Sequence, residues 1–454
     1  LEHETFSTDQ LIERFTFTSR YRNIVFGLVG IGIVFMLTGM FFSSSSGSHD
    51  EGHSEEHHST VVTDSHVHQV ADPHEGEEHG DGGHHHREIT WVNRAAANFL
   101  LNNVYFLSLA MGALFFIAVH QIGNSGWHTA IKRLPEAYTS YLPVAVVGFA
   151  AVLFFMDQLY EWVILPEGVD ELIDKKRPYL NVTGHAMRSV VYFVIWIGAA
   201  ILLRRYSIRE DQEGGLSYFK KSNTVSAIFV FLFAFSYSLF SFDWLKSLEP
   251  HWFSTIYGVY FFGGSMLATM ATISLLLYFL KQQGYMSYVN ASHFQDVNTY
   301  VFGFCIFWAY IWLSQFLLIW YSNIPEEGIW YAKRMRASDP ENYMGYRAIF
   351  FFNLFINFVI PFLTLVSRNA RRNPSVFVPV CVLIVIGHWV DLFVLIMPGA
   401  VERFWTIGFM EIGFFLTFAG IFLYVVLNAL TKANLVPLKH PYIEESVYHS
   451  TGPV

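Results

Sequence analysis

"FSFDWLKSLEPHWFSTIYGVYFF" occupies Phe240 to Phe262 and sets Asp243, Lys246, Glu249 and His251 among Trp244, Trp252 and Phe253. On each side the chain is almost wholly apolar for about 20 residues, long enough to cross ~30 Å of hydrocarbon as a helix. The stretch therefore reads as a tight turn at a membrane surface. Similar runs recur at about 23–42, 98–119, 142–165, 185–203, 224–242, 253–280, 297–322, 347–367, 376–397 and 404–430, giving ten expected spans. Blocks such as "VFGFCIFWAYIWLSQFLLIW" (Val301 to Trp320) lack the alternation of a soluble helix or strand, which excludes a soluble globular class. Continuous apolar runs exclude an outer-membrane barrel as well. The expected fold is an all-α integral membrane protein with about ten transmembrane helices.

Orientation follows from the bias of Lys and Arg toward cytoplasmic loops. One set of connecting segments carries 16 of these residues and the other 10, so both termini are expected in the cytoplasm and the opening turn on the far side. Cys305 and Cys381 both fall inside spans, so they supply no disulfide framework, and no Cys-x-x-Cys-His attaches haem. The sequence starts at Leu1, which suggests trimming, and the first span reads as a retained helix preceded by polar residues.

Residues 1–42 form an N-terminus and first helix, and 43–97 a loop holding 11 of the 20 histidines. That loop suits either weak metal or proton capture or simple solubility, the latter needing only its polar, acidic composition. Beyond it lies an internal repeat. "NVYFLSLAMGA" (Asn103 to Ala113) resembles "GVYFFGGSMLA" (Gly258 to Ala268), and "MRSVVYF" at Met187 resembles "YRAIFFF" at Tyr346. The offset skips four spans, so the copies keep one orientation, as parallel repeats do. The expected organisation is a four-helix bundle over 98–242, a second over 243–397, and helix 10 with a cytoplasmic tail over 398–454.

An ionised residue at a helix centre costs ~2.5–3.5 kcal/mol even on the mild insertion scale, so such residues face bundle interiors and serve paths or ligands. Asp157 and Glu161 lie four apart, on one face of an unbroken helix. His388 and Asp391 share another, and Glu411 opens the last span. Their depths suggest a polar layer near the outer side, with no matching acids in the inner half. As a proton pathway the expected residues are Asp157, Glu161, His388, Asp391 and Glu411. The alternative is plain helix pairing, for example Asp157 with Arg188. Trp162, Trp252, Trp320, Tyr321 and Trp330 fit an interfacial aromatic belt.

With His388 the one histidine deep in a span, a bis-histidine haem site is not expected, and no metal site or nucleotide signature is present. A quinone head group needs polar partners in an apolar pocket, which Asp157, Glu161, His185, Arg188 and Asp243 offer at the outer end of the first bundle.

The turn "SFDWLKSLEPHWFSTIYGVYFF", with "MDQLYEW", "LPEG" and the duplicated pattern over about 98–430, resembles the polysulfide-reductase-type (NrfD-like) membrane subunits. Within them it is most similar to the ActF-type subunits of bacterial alternative complex III. The resemblance implies a respiratory quinol:electron-acceptor oxidoreductase of the bacterial inner membrane. Its implied partners are a sister NrfD-like subunit, an iron–sulfur protein, c-type cytochromes and lipids, with no nucleic acid. It implies menaquinone or another quinone as cofactor, and for this chain a structural, proton-conducting or quinone-associated role without its own redox centre. Asp243, Trp244 and His251 would then form an outer turn for partner or quinone contact, with Trp244 and Trp252 anchored among headgroups. A stand-alone proton-coupled secondary transporter is the competing class.

Overall fold

The computed structural model describes residues 11–46, 89–335 and 344–452. Most of the His-rich loop, residues 47–88, lies outside them. Among the described residues there are ten helices long and apolar enough to cross a membrane, and no strand. They are α1 (Ser19–Ser44), α2 (Trp91–Ile122), α3 (Arg133–Gln158), α4 (Val182–Glu213), α5 (Ser217–Leu248), α6 (Tyr257–Gln282), α7 (Ala291–Ser322), α8 (Arg347–Leu365), α9 (Pro374–Ala400) and α10 (Phe409–Leu430). The chain is an all-α, multi-pass membrane protein.

Local chemistry sets several helix starts. Asn181, Asn290 and Asn373 each accept a hydrogen bond from a backbone N–H of the first turn of α4, α7 and α9, the usual remedy for the unpaired donors there. Pro374 follows Asn373 at the first helical position, where its missing N–H costs nothing. Inside α8, a π-turn spans Phe355–Val359 just before Pro361, which cannot donate to the ladder.

Successive spans alternate in direction, so one end of the bundle gathers the segment before α1 and the C-terminal tail; we call it the terminal face. Leu435 N–H bonds Glu13 C=O there, and Ser446 ties the tail to Ala130 and Trp127. The opposite end, with the turns after α3, α5, α7 and α9, is the loop face. Spans α2 to α5 pack in a ring, as do α6 to α9, and α2 packs against α6 and α9 where the rings meet. The central position of α2 is evident in its burial, 94% of its apolar window against 17% for α1.

Helix α1 is held almost entirely by α10. Gly32, Gly39, Gly413 and Gly420 let the two backbones touch, because a Cβ at any of them would strike the opposite helix. Close approach of this kind is what drives helix association in lipid, where apolar burial gains nothing. Replacing Gly413 by Leu is expected to destabilise α1 docking by ~1–3 kcal/mol through overpacking. Faster proteolysis of the α1–α2 segment in detergent would report it, and unchanged proteolysis would contradict it.

Candidate functional site

Six carboxylates are buried among the described residues: Glu136, Glu210, Asp243, Glu249, Asp391 and Glu411. Four are paired with arginine. Arg188 grips Asp243 with both arms at 2.9 and 3.0 Å while Tyr192 donates to it at 2.8 Å. Arg334, fully buried, donates to Glu249 at 2.5 and 3.3 Å. Arg94 holds Glu411 at 2.7 Å through each of two nitrogens, and Asn98 adds a third bond. Glu136 accepts from Arg133, Arg204 and Ser207.

Asp391 and Glu210 have no ion pair among the described residues. Asp391, on α9, accepts only from neutral donors on the three other spans of its ring. Tyr260 of α6 and Asn353 of α8 donate to Oδ1, the latter at 2.7 Å, and Trp308 of α7 donates to Oδ2 at 3.1 Å. Asn357, within the π-turn, donates in turn to Asn353 at 2.5 Å. One helical turn from Asp391, His388 places Nε2 2.9 Å from Ser108 of α2, and its Nδ1 finds no partner. Glu210 lies at the terminal end of α4 near Lys132, with Oε1 unpartnered.

Between the two, polar groups line α6. Ser265 meets the Tyr237 hydroxyl at 2.7 Å, Thr269 bonds back to Ser265 C=O and Thr272 to Thr269 C=O. Tyr138 of α3 lies beside Thr272, on the way to the terminal cluster of Glu136, Asp211, Lys132 and Arg133. Lys132 donates to Gln121 at 3.0 Å, and burial pushes its ammonium below the usual lysine range against the pull of Glu136 and Glu210. Buried acids thus also stand at the terminal end of the spans. Helices α3 and α4 reach further toward the terminal face than the apolar runs at 142–165 and 185–203, beginning at Arg133 and ending at Glu213, and so carry Glu136, Glu210 and Asp211.

The sequence-derived proton residues divide. His388 and Asp391 sit together in the core, whereas Glu411 is an ion-paired residue of the first turn of α10, where it also accepts from Gly408 N–H. Asp157 and Glu161 do not join that layer: both are exposed, and the helix breaks between them, with 3-10 turns to Gln158 and extended Tyr160. Arg188 pairs with Asp243, not with Asp157. The turn itself is also corrected. Asp243 and Trp244 are fully buried, so neither meets water or a partner chain, and Trp252, Trp162 and Trp330 are interior too, leaving Trp320 and Tyr321 to fit the exposed belt. His251 does reach the loop face, 2.5 Å from Asp170, and with Glu161 it lines an open recess.

His185 is a second polar point. It is fully buried against Trp244 at 4.5 Å between ring centres, with Tyr160 and Trp162 beside it. Both its ring nitrogens and the Trp162 N–H lack partners. No hydropathy signal marks this trio, since it needs α4, α5 and the loop after α3 to converge. The sequence matches no family model and no curated protein.

The Glu249 carboxyl, pushed up by burial, is pulled further down by Arg334 and Lys333, ending below its ordinary 4.5. Its stabilising contribution is therefore complete above that value and lost as the pH falls through the lowered one. Glu249→Gln is expected to cost ~3–5 kcal/mol near neutral pH, since it strands Arg334. It should also flatten the acid side of a thermal-stability profile; a variant as acid-sensitive as the parent would contradict this pairing.

Proposed function

We propose that this chain is a multi-pass subunit of a respiratory quinol:electron-acceptor oxidoreductase in the bacterial inner membrane, with the terminal face toward the cytoplasm, and that it conducts or stores protons there. The single observation that carries the proton role is Asp391. A buried carboxylate held by neutral donors alone can gain or lose a proton without breaking an ion pair, whereas an arginine-locked one cannot. His388, the hydroxyls along α6 and Glu210 extend the polar line toward the terminal face. The complex itself rests on the resemblance of the Phe240–Phe262 turn and the duplicated spans to NrfD-like subunits. On that reading the partners are the sister subunit, the iron–sulfur protein and c-type cytochromes.

A quinone-associated role has its own support at His185. The unpartnered ring nitrogens of His185 and the Trp162 N–H are the donor and acceptor set that quinone carbonyls or quinol hydroxyls require. Quinol, when bound, supplies two electrons and two protons. His185 would hold a head-group oxygen and receive a proton at one ring nitrogen, while Arg188 and Asp243 fix the floor of the site.

Asp391→Asn is expected to lower quinol-dependent turnover or proton release by ~10²-fold, the usual scale for a lost proton-transfer group, with assembly intact. Asp243→Asn should instead reduce the yield of folded protein, as loss of a buried ion-pair partner does. Equal turnover in Asp391→Asn and parent would remove the proton role. Purification as a lone, haem-free protein that moves a solute with protons would favour the transporter class instead.

A further inference from the structure

The connector from α8 to α9, "VSRNARRN" over residues 366–373, carries three arginines at the terminal face. None of them meets a carboxylate among the described residues, where the arginine ion pairs belong to Arg94, Arg133, Arg177, Arg188, Arg204 and Arg334. Arg372 holds the C-terminal tail through neutral acceptors at Thr451 and Gly452, and Arg368 reaches Thr451 C=O with Nη2. Arg371 lies along α7 instead. Its C=O accepts from Asn298 at 2.9 Å, its Nη1 donates to Thr299 at 3.2 Å, and its guanidinium carbon stands 5.4 Å from the centre of the Phe302 ring. The side chain is thus fixed at both ends. Burial and the nearby Arg368 push Arg371 below the usual arginine range, and Asp296, which pulls the other way, is already bonded to His449.

Arg371 caps an apolar surface. Phe302, Ile306, Tyr310 and Leu313 recur every three or four residues and so share one face of α7. The last three are 39%, 64% and 48% exposed. From α8, Phe362 stacks on Phe302 at 5.7 Å, and the neighbouring Leu363 and Val366 are exposed. We propose that Arg371, with Arg368, binds the head group of an anionic phospholipid whose acyl chains lie on this face of α7. A phosphodiester offers acceptor oxygens that match guanidinium forks, and basic sites between spans at the membrane boundary recognise acidic lipids in this way. Phosphatidylcholine carries the same phosphate, but its own ammonium cancels the charge. The site stands apart from the proton role and does not rest on it.

Native mass spectrometry of the intact protein with any co-purifying subunits, delipidated and then titrated with phosphatidylglycerol or phosphatidylcholine, tests this. Phosphatidylglycerol is expected to bind more tightly, and Arg371→Gln to weaken it about fivefold, the usual scale for one basic residue at a charged lipid surface, leaving phosphatidylcholine unchanged. Arg371→Lys should keep most of the preference. Arg205, exposed near the terminal end of α4 and without an ion pair among the described residues, is the control, and Arg205→Gln should alter neither lipid. Equal losses in Arg371→Gln and Arg205→Gln would reduce the site to general surface charge and overturn it. Inorganic phosphate displacing phosphatidylglycerol at matched concentration would assign the anion to a soluble source and overturn the lipid, as would a co-purifying subunit that cross-links at position 310 in its place. Should Arg371→Gln not assemble, the parent decides: equal affinity for the two lipids overturns the proposal.

Discussion

A carboxylate among packed apolar helices must be matched by a cation or by convergent donors, and much of this structure is arranged around meeting that requirement. Arg188 meets it for Asp243 within the first ring, Arg94 for Glu411 between α2 and α10, and Arg133 with Arg204 for Glu136 at the terminal face. Arg334 meets it for Glu249 across the rings, since Glu249 lies on the connector between α5 and α6 and Arg334 on the helix Pro325–Met335 after α7. Each pair fixes two or more elements at once. Arginine suits the task because its planar fork satisfies both carboxylate oxygens in one orientation.

Against that background the second ring is organised differently. Its buried acid is surrounded by a phenol, an indole and an amide, and the arginine at the position matching Arg188, Arg347, forms no ion pair among the described residues. The first ring thus locks Asp243 in an ion pair, whereas the second leaves Asp391 free of formal charge partners. The π-turn in α8 belongs to the same arrangement, because it carries Asn357 under Asn353 and so extends the polar contacts one turn inward from Asp391. π-turns commonly occur where a helix is shaped for function.

The charged turn between two apolar runs has a structural explanation. Asp243 is the anion for Arg188, Glu249 the anion for Arg334, and Trp244 packs over His185 while its indole N–H reaches Ser189 at 3.0 Å. Between Asp243 and Ile256 the exposed residues are His251, Phe253 and Thr255. The motif is a buried joint between the rings, so its composition reflects interior pairing more than surface contact.

Ten spans, their number and approximate limits were legible in the sequence because 20-residue apolar runs have few other solutions. Asp391 and His388 were legible too, as ionisable residues three apart deep in a span. Which acids are locked was decided only by the tertiary structure. The partners of Asp243, Glu249 and Glu411 lie 55, 85 and 317 residues away in sequence, and no local periodicity carries such information. The break between Asp157 and Glu161 escaped for a related reason: an apolar run gives no sign that the helix ends early at Gln158. Hydrophobicity fixes how often the chain crosses, a property of each segment alone; charge pairing depends on which segments meet, and that is settled by packing.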